Sequence, residues 1–397
     1  MRVLFCTTAN AGHFGPLVPF ARACVKAGHE VVVAAPSSFG PQVAAVGLDH
    51  RPFADPAPEV LGPVLGRVAS ASFEEANRVV IGDVFGRLEA QAALPGLVDI
   101  IDDWAPDIVV RETLEFGSLV AAESAGVPQA VVAIGTSAAA EAIAPLIAEP
   151  LTELERLVGL PQGTTITTLR ASPTLTCVPQ SLEMSQPSGA ATTGALHRFG
   201  DDSLAGGEGS LPQLRGEPTH PLVYISFGSI TAGLGGLSGI YPAVLDALAE
   251  QPVRVLLTTG HGLDPADLEP VPANAQVERW WPQADVMPHA AVVVGHGGFG
   301  TTMAALAAGV PQVILPLFSL DQHINAAAVA ARGAGLNVGG GPPAVAGLAE
   351  AVAAVLGGTS YREAAREVAA EMAALPRLTE AVAVLERIAH ATSLSSR

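Results

Sequence analysis

Short apolar runs recur along this chain, each followed by a helix-length amphipathic stretch, so the pattern switches between strand and helix periods many times. Val3–Thr7 reads as a strand, Ala9–Gly15 as a glycine-containing loop, and Pro16 opens a helix that runs to about Ala27 and stops at Gly28. His29–Ala35 is a second strand, Ser37–Val46 a helix ended by Gly47, and Asp49–Phe53 a third strand. That βαβαβ order is the mononucleotide-binding half of a doubly wound sheet. Asp55–Arg78 is rich in Pro, Gly and Ala and is expected as a mobile loop and helix over a pocket. Residues 80–103 read as helix, Asp107–Arg111 as strand, Thr113–Ser124 as a helix ending at Gly126, and Val127–Ile134 as strand. Ala138–Leu160 is helical, interrupted near Pro145 and Pro150, and serves either as core or as the wall of a hydrophobic acceptor pocket.

Gly200–Thr219 is dense in Gly, Ser, Pro and charge and marks the domain boundary. The alternation then restarts. Leu222–Ser226 is a strand followed by Phe227-Gly228-Ser229, residues 239–250 form a helix, and Val253–Thr259 and Gln276–Trp280 are strands. After a short turn-rich helix at Pro282–Pro288 comes Ala291–Asn325, a strand, a glycine turn, a helix ended by Gly309, the strand Val310–Leu317, and a loop holding Asp321, Gln322 and Asn325. Ala344–Leu356, Tyr361–Ala374 and Leu378–Ala391 are helices, the last able to cross back to the first domain. Ala125-Gly126-Val127-Pro128-Gln129 is echoed by Ala308-Gly309-Val310-Pro311-Gln312, each a helix end, a fixed turn and a strand start. The expected organisation is a first domain over 1–205, a linker over 206–219, a second domain over 220–375 and a terminal helix over 376–397.

Length and composition agree with two α/β domains. A chain of 397 residues exceeds one ordinary core, and 49% hydrophobic with 15% charged residues excludes disorder. A net charge of −18 argues against nucleic acid and anionic membrane surfaces as partners. Cys6, Cys24 and Cys177 are scattered without metal spacing, so reduced thiols and a cytoplasmic address are expected. No signal segment or membrane-length apolar run is present.

The candidate chemistry gathers at strand ends, where open α/β sheets bind ligands. Gly295-His296-Gly297-Gly298-Phe299-Gly300 matches G-x-G-x-x-G, a weak signal alone in so glycine-rich a chain. A glycine turn feeding a helix offers N–H groups to an anion, and phosphate is the natural guess. His296 is placed to donate to it, or is only a polar filler of the turn. Asp321, Gln322 and Asn325 suit a hydroxyl-rich ligand. His13, after the first strand, has the pKa range of a general base, and Glu112, ending another strand of the same domain, is the carboxylate to orient it, with Glu115 as fallback. One of the adjacent Trp280 and Trp281 must point away from the core, where it can stack on a base or sugar. No D-x-D pair and no zinc spacing occurs, so helix N–H groups and His296 would have to stabilise leaving-group charge instead of a metal.

With these residues in view, the whole chain resembles the metal-independent, inverting GT-B glycosyltransferases that decorate natural products, especially actinobacterial enzymes acting on polyketide and other antibiotic aglycones. Arg279–Ala326, RWWPQADVMPHAAVVVGHGGFGTTMAALAAGVPQVILPLFSLDQHINA, is similar to that family's nucleotide-sugar signature, and ANAGHFGPLVPFARACVKAGHEVVVAA near the N-terminus also matches. The resemblance implies two facing doubly wound Rossmann-like domains with a cleft between them. It implies that Trp280 stacks on the nucleobase with Gln283 nearby, that Ser229, His296, Gly298, Gly300 and Thr301 hold the diphosphate, and that Asp321 and Gln322 bind sugar hydroxyls. It further implies that His13 deprotonates the acceptor hydroxyl, with Glu112 standing where many relatives carry an Asp. UDP-sugar relatives often carry a Glu in the signature helix for the ribose hydroxyls; this chain has Ala304 there, which favours a TDP-deoxysugar over a UDP-sugar. No metal or other cofactor is expected, the partners being the nucleotide-sugar donor and a small hydrophobic acceptor, and the protein a monomer or homodimer. The competing readings are a nucleotide-sugar epimerase of the same architecture, an NAD-dependent oxidoreductase built on the glycine run, and a non-catalytic partner that binds nucleotide sugar or aglycone.

Overall fold

Seven parallel strands build the first sheet, in the order β3–β2–β1–β4–β5–β6–β7. They are β1 (Arg2–Cys6), β2 (Glu30–Pro36), β3 (Asp49–Phe53), β4 (Ile108–Glu112), β5 (Gln129–Val132), β6 (Thr174–Thr176) and β7 (Leu196–Arg198). The computed structural model describes residues 1–68, 71–183, 193–204, 206–207, 209–234 and 236–395. Val3, Leu4, Phe5 and Cys6 are all buried, as a strand covered on both faces requires. Val3 and Phe5 pack with Leu17 and Phe20 of the helix Leu17–Lys26, while Leu4 and Cys6 pack with Leu97 of Ala90–Trp104 and Leu119 of Gly117–Ala125.

Six parallel strands build the second sheet, in the order β10–β9–β8–β11–β12–β13. They are β8 (Leu222–Ser226), β9 (Arg254–Thr258), β10 (Ala275–Glu278), β11 (Ala290–Gly295), β12 (Gln312–Ile314) and β13 (Gly335–Asn337). Val223 and Ile225 pack toward the helices Ile240–Leu248 and Leu348–Gly357, and Tyr224 packs on the opposite face with Ala304 and Ala305. Both sheets share one strand order, and each reverses direction beside its own first strand, between β1 and β4 and between β8 and β11.

The AGVPQ echo has a structural meaning. Gly126 and Gly309 both end helices in the left-handed region, at φ 66° and 67°. Gln129 and Gln312 open β5 and β12, and each side-chain amide donates to the helix carbonyl ten residues earlier, Leu119 at 3.1 Å and Thr302 at 3.2 Å. Both glutamines are buried, so each braces the helix to the strand that follows it.

The chain divides into two compact units. One comprises Met1–Cys177, the stretch leading to Gly200, and the chain from Pro376 onward; the other comprises a short stretch from Val178 and Asp201–Leu375. The terminal helix Leu378–Ser395 belongs to the first unit, where Ala381, Val382 and Leu385 join the cluster of Leu17 and Phe20. Residues 205 and 208, at the boundary and in the stretch read as a linker, lie outside the described residues. The remainder of that stretch belongs to the second unit: Gly207 N–H donates to Ala284 O at 2.8 Å, Gly209 N–H to Asp285 at 2.9 Å, and Leu211 and Leu214 pack beside Trp281.

Three local readings are corrected. The Asp55–Arg78 stretch holds two helices, Pro58–Val68 and Phe73–Arg78, the second capped by the Ser72 hydroxyl accepting from Glu75 N–H. Ala9–Gly15 contains a one-turn helix, Ala11–Phe14, because the Asn10 side chain accepts from Gly12 N–H and caps it. Ser137–Val158 is a single helix through both Pro145 and Pro150. The adjoining segment Val79–Glu89 is π-helical, and its Gly82 and Gly86 admit the proline-bearing helix. The Leu146 carbonyl, which Pro150 cannot serve as donor, lies 3.0 Å from where a Cβ at Gly82 would sit, and Pro150 lies 3.0 Å from one at Gly86. Arg87 ties the two helices by pairing with Glu153 at 2.9 Å, while Asp83 on its own segment pairs with it at 2.8 Å.

Candidate active site

In the first unit the side chains converge at the β1–β4 switch point. β1 and β4 pair with Cys6 opposite Arg111, so the turn after Cys6 and the last residue of β4 share one sheet edge. His13, on the one-turn helix, and Glu112 meet there, with His13 Nδ1 3.1 Å from Glu112 Oε1. Thr8 Oγ1 lies 2.9 Å from the same Nδ1 and donates to Glu112 Oε1 at 3.3 Å. Glu112 Oε2 accepts from Leu114 N–H at 2.6 Å, and the side chain is fully buried. A carboxylate only accepts, so the ring proton belongs on Nδ1 and Nε2 carries the lone pair.

Glu115 does not share this role. Its carboxylate accepts from Gly117 N–H at 3.0 Å and Ser118 N–H at 2.8 Å, which fixes the start of the following helix. Four neighbours escaped the sequence reading. Thr8 bridges His13 and Glu112. Phe85 lies against the His13 ring, centroids 5.2 Å apart. Arg111 is completely buried, and burial lowers its pKa to about 10 against the pull of Glu115 and Glu112. Glu89, at the end of the π-helical segment, has its carboxyl pushed up to about 7 by burial, with His13 opposing and Glu112, Glu115 and Asp55 adding to the rise. Thr8 follows the strand directly and was open to the argument used for His13; nothing in the local pattern marks the other three.

In the second unit, residues expected to bind the donor lie around the β8–β11 switch point. Gly297 has φ 86°, and a Cβ there would lie 2.7 Å from the Gln322 carbonyl, so only glycine fits. Gly298 precedes the helix Phe299–Ala307 with no side-chain cap, leaving that helix's first N–H groups to other partners. The His296 ring is wedged against Gly228 and Gly298, with Phe318 6.3 Å away. Gln283 Nε2 donates to Thr301 Oγ1 at 2.9 Å. Ser229 and Gly300 are exposed, and Trp280 is 63% exposed while Trp281 packs inward and donates to Ser210 O at 3.1 Å.

Asp321, Gln322 and Asn325 are not in a loop. They lie on the helix Leu320–Ala331, whose N-cap is Ser319. The stretch Ser319–Asp321 that reads as loop is the cap and first turn. Gln322 is buried, its Oε1 accepting from Leu317 N–H at 2.8 Å and Phe318 N–H at 3.2 Å, and Asn325 donates to Gly297 O at 2.8 Å. Two of the three polar groups therefore tie this helix to the turns around it, and Asp321 stays partly exposed. Ala304 is buried among Tyr224, Met287 and Val293 and brings no polar atom to the site.

Burial holds the His296 pKa down at about 4. A histidine depressed in the folded state binds fewer protons than in the unfolded chain, so its contribution to stability is complete above about 6.5 and is lost as pH falls through about 4. Glu89 works in the opposite sense over a similar range, so a comparison with His296→Gln isolates the effect. The stability advantage of the native chain over that variant is expected to shrink by roughly 3 kcal/mol between pH 7 and pH 4, read by denaturant melts. An advantage independent of pH would show that His296 is not held neutral.

Two Rossmann-like α/β domains, each with polar residues gathered at its switch point, have the architecture of the GT-B class. The erythromycin biosynthesis protein CIII-like models match its N-terminal domain over residues 22–197 and its C-terminal domain over residues 242–388. The chain belongs to this family of natural-product glycosyltransferases. The elloramycin glycosyltransferase ElmGT of Streptomyces olivaceus is 32% identical over 405 aligned residues, covering 97% of each chain. The L-demethylnoviosyl transferase of Streptomyces niveus is 29% identical over 381 residues, 95% of each. The crystal structure of the Streptomyces sp. SF2575 glycosyltransferase SsfS6, complexed with thymidine diphosphate, is 27% identical with a TM-score of 0.73 and covers 98% of this chain and 99% of that one. Among the described residues no single helix is long and apolar enough to cross a membrane.

Proposed function

We propose that this enzyme moves a deoxysugar from a TDP-activated donor to a hydroxyl of a hydrophobic antibiotic-type aglycone, with inversion and without a metal. The observation that carries the reading is the His13–Glu112 contact of 3.1 Å at the β1–β4 switch point. His13 Nε2 takes the proton of the acceptor hydroxyl as its oxygen attacks the anomeric carbon in line and the nucleoside diphosphate leaves. Glu112 and Thr8 hold the ring and stabilise its charged form. At the donor, Trp280 stacks on the base, and Ser229, Thr301 and the N–H groups from Gly298 onward take the diphosphate. His296, neutral at working pH, offers a single N–H.

The donor preference rests on three supports. Ala304 supplies no carboxylate for a ribose 2′-hydroxyl. Gln322 has its carbonyl engaged by two backbone N–H groups, which leaves its amide and Asp321 to serve a sugar with few hydroxyls. SsfS6 was crystallised with thymidine diphosphate. Calorimetric titration with TDP, UDP and NAD in the presence of EDTA tests the reading. TDP is expected to bind tightly and UDP more weakly. A preference for UDP would keep the transferase and discard the deoxysugar donor. Binding of NAD with neither diphosphate bound would overturn the whole proposal.

A further inference from the structure

A set of hydroxyls and one amide is linked on the face of the second sheet that carries the helix Phe299–Ala307. Side chains alternate along β8, so Tyr224 and Ser226 share that face, where Tyr224 packs with Ala304 and Ala305. Ser226 pairs in register with Thr258 at the end of β9, which brings the three side chains to the carboxyl end of the sheet. The Tyr224 hydroxyl lies 3.1 Å from Thr258 Oγ1 and also hydrogen-bonds with Ser226 and with Gln283. Gln283 opens the one-turn helix Gln283–Val286, and its Nε2 donates to Thr301 Oγ1 at 2.9 Å. Ser226 Oγ accepts from Gly228 N–H at 3.4 Å. The buried Tyr224 is therefore tied to both phosphate-side turns, the one that holds Ser229 and the one that starts the helix of Thr301.

The hydrogens of this set run in one consistent direction. An amide nitrogen only donates, and it has two hydrogens. Gln283 gives one to Thr301 and the other to Tyr224, where it favours the ionised phenol as a donor does. Tyr224 gives its own hydrogen to Thr258, whose hydroxyl goes on to Ile225 O at 3.5 Å. Burial raises the Tyr224 pKa, so the phenol stays neutral and keeps that hydrogen. Thr301 Oγ1 is then an acceptor toward the protein, and its own hydrogen has no partner among the described residues. Thr301 keeps 8% of its surface exposed and follows the exposed Gly300 at the helix start. A hydroxyl fixed in this way gives its hydrogen to an incoming acceptor, and an ionised phosphate oxygen is a strong one. Without the phenol, the Gln283 amide is free to turn its oxygen to Thr301 and draw that hydrogen inward.

We propose that Tyr224 is a positioning residue for the donor: its hydroxyl holds the Gln283 nitrogen against Thr301, so that Thr301 presents its hydrogen to a phosphate oxygen of a nucleoside diphosphate. The inference deepens the reading of the second unit as the donor site and rests on it for the diphosphate. Tyr224 itself touches no ligand and acts through two side chains.

The test is a double-mutant cycle on TDP affinity, read by calorimetry in EDTA for the native enzyme, Tyr224→Phe, Thr301→Val and the double variant. Each single variant is expected to bind TDP about ten-fold more weakly, with circular dichroism unchanged. In the Thr301→Val background, Tyr224→Phe is expected to cost less than about two-fold, because the hydroxyl it serves is already gone. Should the phenylalanine chain not fold, Tyr224→Met takes its place in the cycle. A tyrosine that only packs the sheet would weaken TDP equally in both backgrounds, and that result overturns the assignment. So does a single variant, at either position, that binds TDP within about two-fold of the native enzyme, which leaves the donor site standing. A native enzyme that binds no TDP would instead overturn the donor reading, and the role of Tyr224 would fall with it.

Discussion

Replacing His13 with alanine is expected to lower turnover by roughly 10²- to 10⁴-fold while leaving TDP affinity within about two-fold of the native value. The size follows from what the imidazole supplies. An alcohol is a poor nucleophile until its proton is taken, and a positioned base contributes about that factor. The split between turnover and affinity follows from architecture. His13 stands at the β1–β4 switch point in the first unit, whereas Trp280, Thr301 and the glycine turn belong to the second. Steady-state kinetics with calorimetry reads both quantities from one preparation. An unchanged turnover would remove His13 from the mechanism, and a matching loss of TDP affinity would show that the variant had been misread as local.

Glu112→Gln is expected to cost about 100-fold in turnover or more, together with roughly 1–3 kcal/mol of stability. Glutamine has the same shape but one accepting atom in place of two. Glu112 Oε2 receives Leu114 N–H at 2.6 Å, and Oε1 receives Thr8 Oγ1 at 3.3 Å and faces His13 Nδ1 at 3.1 Å. If the amide oxygen keeps Leu114, the NH₂ faces His13 and pulls the lone pair to Nδ1. The proton then moves to Nε2, the atom that should accept. If the amide turns over, two buried donors oppose each other at Leu114. Nitrogen chemical shifts of the His13 ring distinguish the two tautomers. A variant with native turnover and Nδ1 still protonated would reduce Glu112 to a packing residue.

Much of the fold is legible because parallel strands are short, apolar and bounded by glycine. The apolar runs mark Val3–Thr7 and Asp107–Arg111 as strands, within a residue of the observed β1 and β4, and once both are strands, adjacency at a switch point brings His13 and Glu112 to one edge. The glycine turn at Gly295–Gly298 is equally open to inspection, since Gly297 takes a backbone conformation other residues avoid. Phe85 and Glu89 are hidden for a physical reason. Their direction depends on a π-helical segment shaped by partners some sixty residues later, Leu146 and Pro150 against Gly82 and Gly86. Prolines that read as breaks are carried through one helix by that packing. Asp321 and Gln322 mislead in the other direction, because polar residues just past a strand look like loop until Gln322 folds back on Leu317 and Phe318.

The terminal helix Leu378–Ser395 supplies Ala381, Val382 and Leu385 to the interior of the first unit, after the chain has completed the second. The two ends of the polypeptide are thus one heritable module in space though they are far apart in the gene. Exchange of the second unit between relatives by a single crossover near residue 200 would import a foreign tail against Leu17 and Phe20. A recombinant that preserves the native interior needs a second crossover near Pro376, so that head and tail travel together. Libraries built to mix sugar and aglycone preferences in this family should be designed as insertions of a middle segment rather than as fusions of two halves.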